Sequence, residues 1–169
     1  MPTPAVSQFI EAWGTMGALW GINRSTARVH AMLLTAEEPL HLDQIAEPLA
    51  ISRGNVSMSL KELSSWGLVE RSNQGGDRRD YFSADRDTWS MFFKIARERK
   101  RREFDPALQA LRRLLAAQGE VGAQTRVRLA DMEKFLSSLD RILAVVLADL
   151  DKAKNLLAFF TDLIFPKVK

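Results

Sequence analysis

Three features of the sequence predict a mainly α fold with a small β-hairpin wing, a winged helix-turn-helix flanked by N- and C-terminal dimerisation helices. Two short helical repeats stand on either side of the turn Ala50-Ile51, Ser52 offers a cap for the second, and a glycine-tipped hairpin with a basic end follows at once. The expected organisation is an N-terminal dimerisation helix over 1–22, the winged helix-turn-helix over 23–87 and a helical dimerisation region over 88–169.

From the start of the chain, Phe9, Ile10, Trp13, Met16 and Leu19 or Trp20 recur at helical spacing and predict a helix over Ala5 to Leu19. Asn23 or Ser25 caps a second helix carrying Ala27, Val29, Met32 and Leu33. Asp43 is expected to cap a short third helix with Ile45, Ala46 and Leu49 on its apolar side. Pro48 inside it removes one backbone donor and crowds the preceding turn, so this helix is not expected to be straight.

The fourth helix is expected from about Arg53 to Trp66, with Val56, Leu60 and Leu63 on one stripe and Gly67 at the left-handed C-terminal cap. Leu68 to Arg71 and Asp80 to Phe82 then read as two strands, joined by a tip where Gly75-Gly76 supplies positive φ. Beyond the hairpin, Thr88 to Phe104 reads as a long helix. Asp105-Pro106 looks like a fresh N-cap with proline at N1, so the helix should break or kink before Leu108, Leu111, Leu114 and Leu115. Gly119 and Gly122 bracket the next loop. Val127, Met132, Phe135, Leu139, Leu143 and Val146 trace a long amphipathic helix, and Leu156 to Phe165 a last apolar one.

The fourth helix carries the first functional candidates. Opposite its apolar stripe lie Gly54, Met58, Lys61 and Ser65, flanked by Asn55 and Ser57, a face that is small, polar and weakly basic. Ser52, Arg53 and Gly54 open the helix, where free N–H groups and the positive end of the helix dipole favour a phosphate. Asn55 and Lys61 are suited to donate to base edges or phosphates in a major groove. A solvated helix face reads equally well on this segment alone. The hairpin tips the balance, because Asp77 is placed to hold one guanidinium of Arg78 and Arg79 while the other reaches outward to a minor groove or its phosphates. Double-stranded DNA is therefore the expected partner.

The runs GINRSTARVHAMLL, EPLHLDQIAEPLAISRGNVSMSLKELSSWGLVER and GGDRRDYF, spanning about Gly21 to Trp89, resemble the GbsR-like branch of the MarR-type winged helix-turn-helix transcription regulators. The resemblance implies a dimeric, ligand-responsive regulator of transcription. It places Ser52 to Lys61 on the groove-facing helix and matches Asp77 and Arg79 to the family's Asp-x-Arg wing motif. Pro48 departs from the pattern.

Composition restricts the alternatives. A chain of 169 residues is about one domain by length, and 24 Lys and Arg against 21 Asp and Glu leave a net charge of +3, so a nucleic-acid contact must rest on a local patch. The absence of cysteine excludes disulfides, a thiol nucleophile and cysteine-based metal sites, and fits a reducing cytoplasm. The N-terminus lacks the basic start and long apolar core of a signal peptide, and the apolar run Ile142 to Ala148 is far short of the ~20 residues that cross a bilayer. A cytoplasmic protein with no membrane partner is expected. His30 and His41, the two histidines, belong to no metal-spaced cluster, and no GxSxG or SxxK motif occurs, so neither catalysis, a metal nor a cofactor is expected.

Two further features carry competing readings. The run Lys94 to Glu103 reads as a DNA-backbone contact, a localisation signal or a solvated face whose glutamates pair with its cations; the last is favoured. Trp13, Trp20, Trp89, Phe92 and Phe93 read first as core. They would also suit an aromatic cage for a quaternary ammonium effector, since the regulators that the chain resembles include sensors of choline-type osmolyte precursors. The outer helices hold more apolar surface than a small winged domain covers, which predicts a homodimer on a pseudo-palindromic operator. The alternative is a winged helix used as a protein–protein interaction module without sequence-specific DNA binding.

Overall fold

The structure, a computed structural model, describes residues 2–117 and 122–164. The chain divides into two compact units, the first ending at Lys94 and the second starting at Ile95.

The first unit opens with α1 (Pro4–Leu19), capped by Thr3, whose Oγ1 accepts from the Val6 N–H at 3.4 Å. Asn23 caps α2 (Arg24–Thr35), its Oδ1 accepting from the Ser25 N–H at 2.8 Å and the Thr26 N–H at 3.4 Å. The two helices pack closely because small residues meet at the crossing: a Cβ added at Gly17 would lie 2.5 Å from the Ala27 Cβ. Glu11 of α1 braces the same pair, accepting from Arg24 at 2.8 Å and from Arg28 at 2.7 Å.

Strand β1 (Leu40–His41) leads directly into α3 (Leu42–Leu49). The expected cap of α3 is corrected here. His41 is the N-cap and Gln44 closes a capping box, its Oε1 accepting from the His41 N–H at 2.9 Å. Asp43 instead sits in the first turn, where it favours the helix dipole and pairs with Arg53. Pro48 lies in the last turn, and the helix stops two residues later at Ala50, which takes the left-handed conformation (φ 50°, ψ 44°).

Helix α4 (Arg53–Ser65) is capped by Ser52, whose Oγ accepts from the Asn55 N–H at 3.2 Å. It ends at Trp66, and Gly67 follows with φ 70°, the left-handed position that the sequence assigned to it. The wing is β2 (Val69–Asn73) and β3 (Asp80–Ala84), antiparallel with Val69 opposite Ala84 and Asn73 opposite Asp80. β1 adds to the other side of β3, giving a three-stranded sheet in the order β1-β3-β2 with His41 opposite Tyr81. Val29, Ile45, Val56, Leu63 and Leu68 are the largest fully buried side chains, and they join α2, α3, α4 and the base of the wing into one core.

Helix α5 (Thr88–Arg99) runs across the division at Lys94. A π-helical turn over Lys100–Phe104 carries it into α6 (Asp105–Ala116). The expected break at Asp105-Pro106 is replaced by this turn: Phe104 and Asp105 keep helical dihedrals, and neither provides a side-chain cap. The Asp105 N–H reaches back five residues to the Lys100 carbonyl, so the chain widens by one residue where Pro106 has no donor to give. Lys100 fixes the segment by pairing with Asp105 at 2.5 Å and Asp140 at 2.7 Å.

The second unit continues with α7 (Ala123–Ala148) and α8 (Leu150–Ile164). α6 lies along α7, tied by Arg112 to Glu133 at 2.9 Å and buried at Leu108 and Leu111. α7 leaves a stripe of Val127, Phe135, Ile142 and Val145 more than half exposed. Three cations of the basic run are paired within the run itself, Arg99 with Glu103, and Arg101 and Arg102 with Glu98, while Lys94 pairs with Asp85. Gly119 and Phe165 lie outside the described residues. Among the described residues no helix is long and apolar enough to cross a membrane, and no cluster of His, Asp and Glu is arranged to hold a metal ion.

Candidate nucleic-acid interface

A groove of about 880 Å³ opens between α4 and the wing. Arg53, Gly54, Ser57 and Lys61 line it from the helix, and Arg78 and Arg79 from the wing tip. Six of the residues expected to contact DNA thus share one concavity.

The other expected contacts lie around it. Ser52 spends its hydroxyl on the α4 cap, and the Asn55 Nδ2 donates to Ser25 Oγ at 3.3 Å, on the α2 side of the helix. Met58 is 75% exposed on the outer face. Asp77 stands behind the wing arginine and not in the groove lining. Lys61 and Arg78 make no ion pair among the described residues, so their charges are available to a ligand.

The wing tip, residues 74–79, is built around Asp77. Gly76 takes φ 88° and the Asp77 N–H donates to the Gln74 carbonyl at 3.1 Å, which turns the chain sharply. Asp77 then receives the Arg79 guanidinium through Nη2 at 2.6 Å and Nε at 2.8 Å, the Arg79 backbone N–H at 2.9 Å, and the Tyr81 hydroxyl at 2.8 Å. The Arg79 side-chain bond, followed by its backbone bond and the Tyr81 bond, holds the Asp77 carboxyl well below the usual carboxylate range. The hydrogen bond to Asp77 in turn raises the pKa of Arg79 and of Tyr81. Arg79 also lies over the Tyr81 ring, 5.8 Å from its centroid, and within 3.0 Å of His41 Nε2.

His41, Asp43 and Arg71 also line the groove and were not among the expected contacts. Asp43 pairs with Arg53 at 2.5 Å and Arg71 pairs with Asp80 at 2.6 Å, so two cations at the groove are already compensated. A lone histidine before a helix carries little signal in sequence. Its place in the groove depends on β1 pairing with β3, which no local pattern announces.

Some of the aromatic residues also converge within the first unit. Phe92 lies 6.2 Å from Trp13 and 6.4 Å from Trp20, and Phe9 extends the cluster at 5.5 Å from Trp13. Phe93 is buried at 8% exposure, whereas Trp89 is 45% exposed and joins none of these ring contacts. His30 sits under the cluster, 6.2 Å from Trp13, and is 2% exposed; burial lowers its pKa to about 4 against a smaller opposing pull from Asp85.

Residues 20–80 match the family model described as MarR family. Over 143 residues the chain is 28% identical to the HTH-type transcriptional regulator MmpR5 of Mycobacterium tuberculosis, covering 83% of this chain and 84% of that protein. The winged region is thus similar to the MarR family of winged-helix regulators. A solved structure described as a transcriptional regulator has a similar fold, with a TM-score of 0.65 at 24% identity over 86% of this chain and 97% of that one. A Staphylococcus aureus MepR–DNA complex aligns over 80% of this chain and 93% of its own, with 19% identity and a TM-score of 0.40.

Proposed function

We propose that this chain is a MarR-family transcription regulator that binds a pseudo-palindromic operator as a cytoplasmic homodimer, with α4 in the major groove and the wing arginine at the minor groove. The observation that carries this reading is the groove between α4 and the wing. Small residues on its helix side, Gly54 and Ser57, admit close approach of a phosphate backbone, while Lys61, Arg78 and Arg79 supply positive charge around it. Two copies related by a two-fold axis would set their α4 helices about 34 Å apart, one turn of the duplex. The exposed stripe Val127, Phe135, Ile142 and Val145 on α7 supports pairing through the C-terminal helices.

The GbsR-like pattern ISRGNVSMSL with GGDRRDYF supports a small-molecule effector. Trp13, Trp20 and Phe92 are the side chains best placed to receive it, since their rings converge, Trp20 and Phe92 are exposed and Trp13 is half-buried, a setting that suits a quaternary ammonium group.

Selection of bound fragments from genomic DNA, followed by footprinting, tests the reading. It should return an inverted repeat whose halves are one helical turn apart and whose affinity falls steeply with added salt. Binding to no duplex, or a stable protein partner that survives loss of Arg78 and Arg79, would replace it with a protein–protein module.

A further inference from the structure

His41 makes two contacts that cannot both be hydrogen bonds at once. Its Nδ1 lies 3.3 Å from the Asp43 backbone nitrogen and caps α3, while its Nε2 lies 3.0 Å from Arg79 Nη1 in the wing. A backbone N–H and a guanidinium N–H only donate, so each contact needs a lone pair on the ring. A neutral imidazole has a lone pair on one nitrogen and a proton on the other.

The ring has little freedom to escape this choice. β1 fixes His41 opposite Tyr81 of β3, the two rings meet edge to face at 5.7 Å and 87°, and the His41 side chain is 13% exposed. Around it stand Asp43 of α3, which pairs with Arg53 of α4, then Asp77 and Arg79 of the wing tip and Tyr81 of β3.

We propose that His41 is a positioning residue for the wing arginine, a latch whose single acceptor serves either Arg79 or the N-terminus of α3. In the free protein the cation of Arg79 favours the lone pair on Nε2, and the Asp43 carboxylate, 3.9 Å from Nδ1, favours the proton there. Arg79 is then held and the α3 cap is slack. When Arg79 is drawn to a phosphate or into a minor groove, the proton takes Nε2 and Nδ1 accepts from the Asp43 N–H. Release of the wing therefore tightens the helix that supports α4. This last step rests on the proposed DNA contact of Arg79; the latch itself does not.

The tautomer is read directly from the imidazole ¹⁵N resonances of His41. The free protein should show the proton on Nδ1. Arg79→Ala, a change at a side chain 56% exposed, should move it to Nε2 without DNA and slow hydrogen exchange of the Asp43 amide about fivefold, as a recovered N-cap bond requires. The same tautomer in both proteins overturns the latch. Addition of the selected operator duplex to the unmodified protein should reproduce the Arg79→Ala spectrum. A shift in Arg79→Ala with none on adding that duplex upholds the latch and removes Arg79 from the DNA contact.

Discussion

Asp77 and Arg79 form a closed clamp at the wing tip, with Nη2 and Nε of the guanidinium 2.6 and 2.8 Å from one carboxylate oxygen and the Arg79 backbone N–H 2.9 Å from the other. The Arg79 side chain is 56% exposed, so the pair adds little to stability, and its value is orientation. The guanidinium is held over the groove before any ligand arrives.

Removing the clamp should therefore cost affinity and not fold. Asp77→Ala leaves every cation at the groove in place, yet a free Arg79 must be ordered on binding. Affinity for the operator duplex is expected to fall by about 1 kcal/mol, with an unchanged melting temperature. Unaltered or tighter binding in a fluorescence anisotropy titration would show that the clamp restrains Arg79 from DNA.

Lys61 has no ion-pair partner among the described residues and stands on the helix side of the groove. Lys61→Ala should weaken binding to all duplexes alike and lower the slope of log affinity against log salt by about 1, the behaviour of a phosphate contact. A loss confined to one base position would make it a base-reading residue.

His30 links stability to pH. Its folded pKa of about 4 lies below its unfolded value, so the unfolded state binds the proton more readily. The sign follows: the native contribution is whole above the unfolded pKa and declines as pH falls toward 4. Between pH 7 and 5 the loss should reach about 2 kcal/mol in chemical denaturation, and His30→Phe should reduce that dependence. Equal pH slopes in the two proteins would show that His30 takes its proton without unfolding.

Gly17 sets the α1–α2 crossing, since an added Cβ meets the Ala27 Cβ at 2.5 Å. Gly17→Ala should destabilise by about 1–2 kcal/mol, the overpacking strain exceeding the gain in helix propensity. Ala27→Gly in the same chain should relieve part of it, and a thermal melt of the single and double variants decides.

Much of this site was legible in the sequence because its signals are local. Ser52 and Gly67 bound α4 through side-chain and backbone chemistry that needs no tertiary context, and Gly76 with Asp77 dictates the tip of the wing. What was missed depends on partners distant in the chain. β1 is only Leu40–His41 and exists through its pairing with β3, so His41 read as an unremarkable polar residue and Asp43 took its place as the cap. Asp105-Pro106 carried a strong helix-start signal, yet the π-helical turn absorbs the missing donor while Lys100 ties Asp105 and Asp140 together. The aromatic residues at helical spacing divided by exposure, Phe93 inward and Trp89 outward, which periodicity alone does not sort.

The most direct test of DNA recognition through the groove is the salt dependence of binding to the selected operator, measured for the unmodified protein and for Arg79→Ala. The account predicts a steep loss of affinity with salt, a loss of about 1–3 kcal/mol in the variant at fixed salt, and an unchanged fold. Equal affinity and equal salt dependence in the two proteins would contradict it.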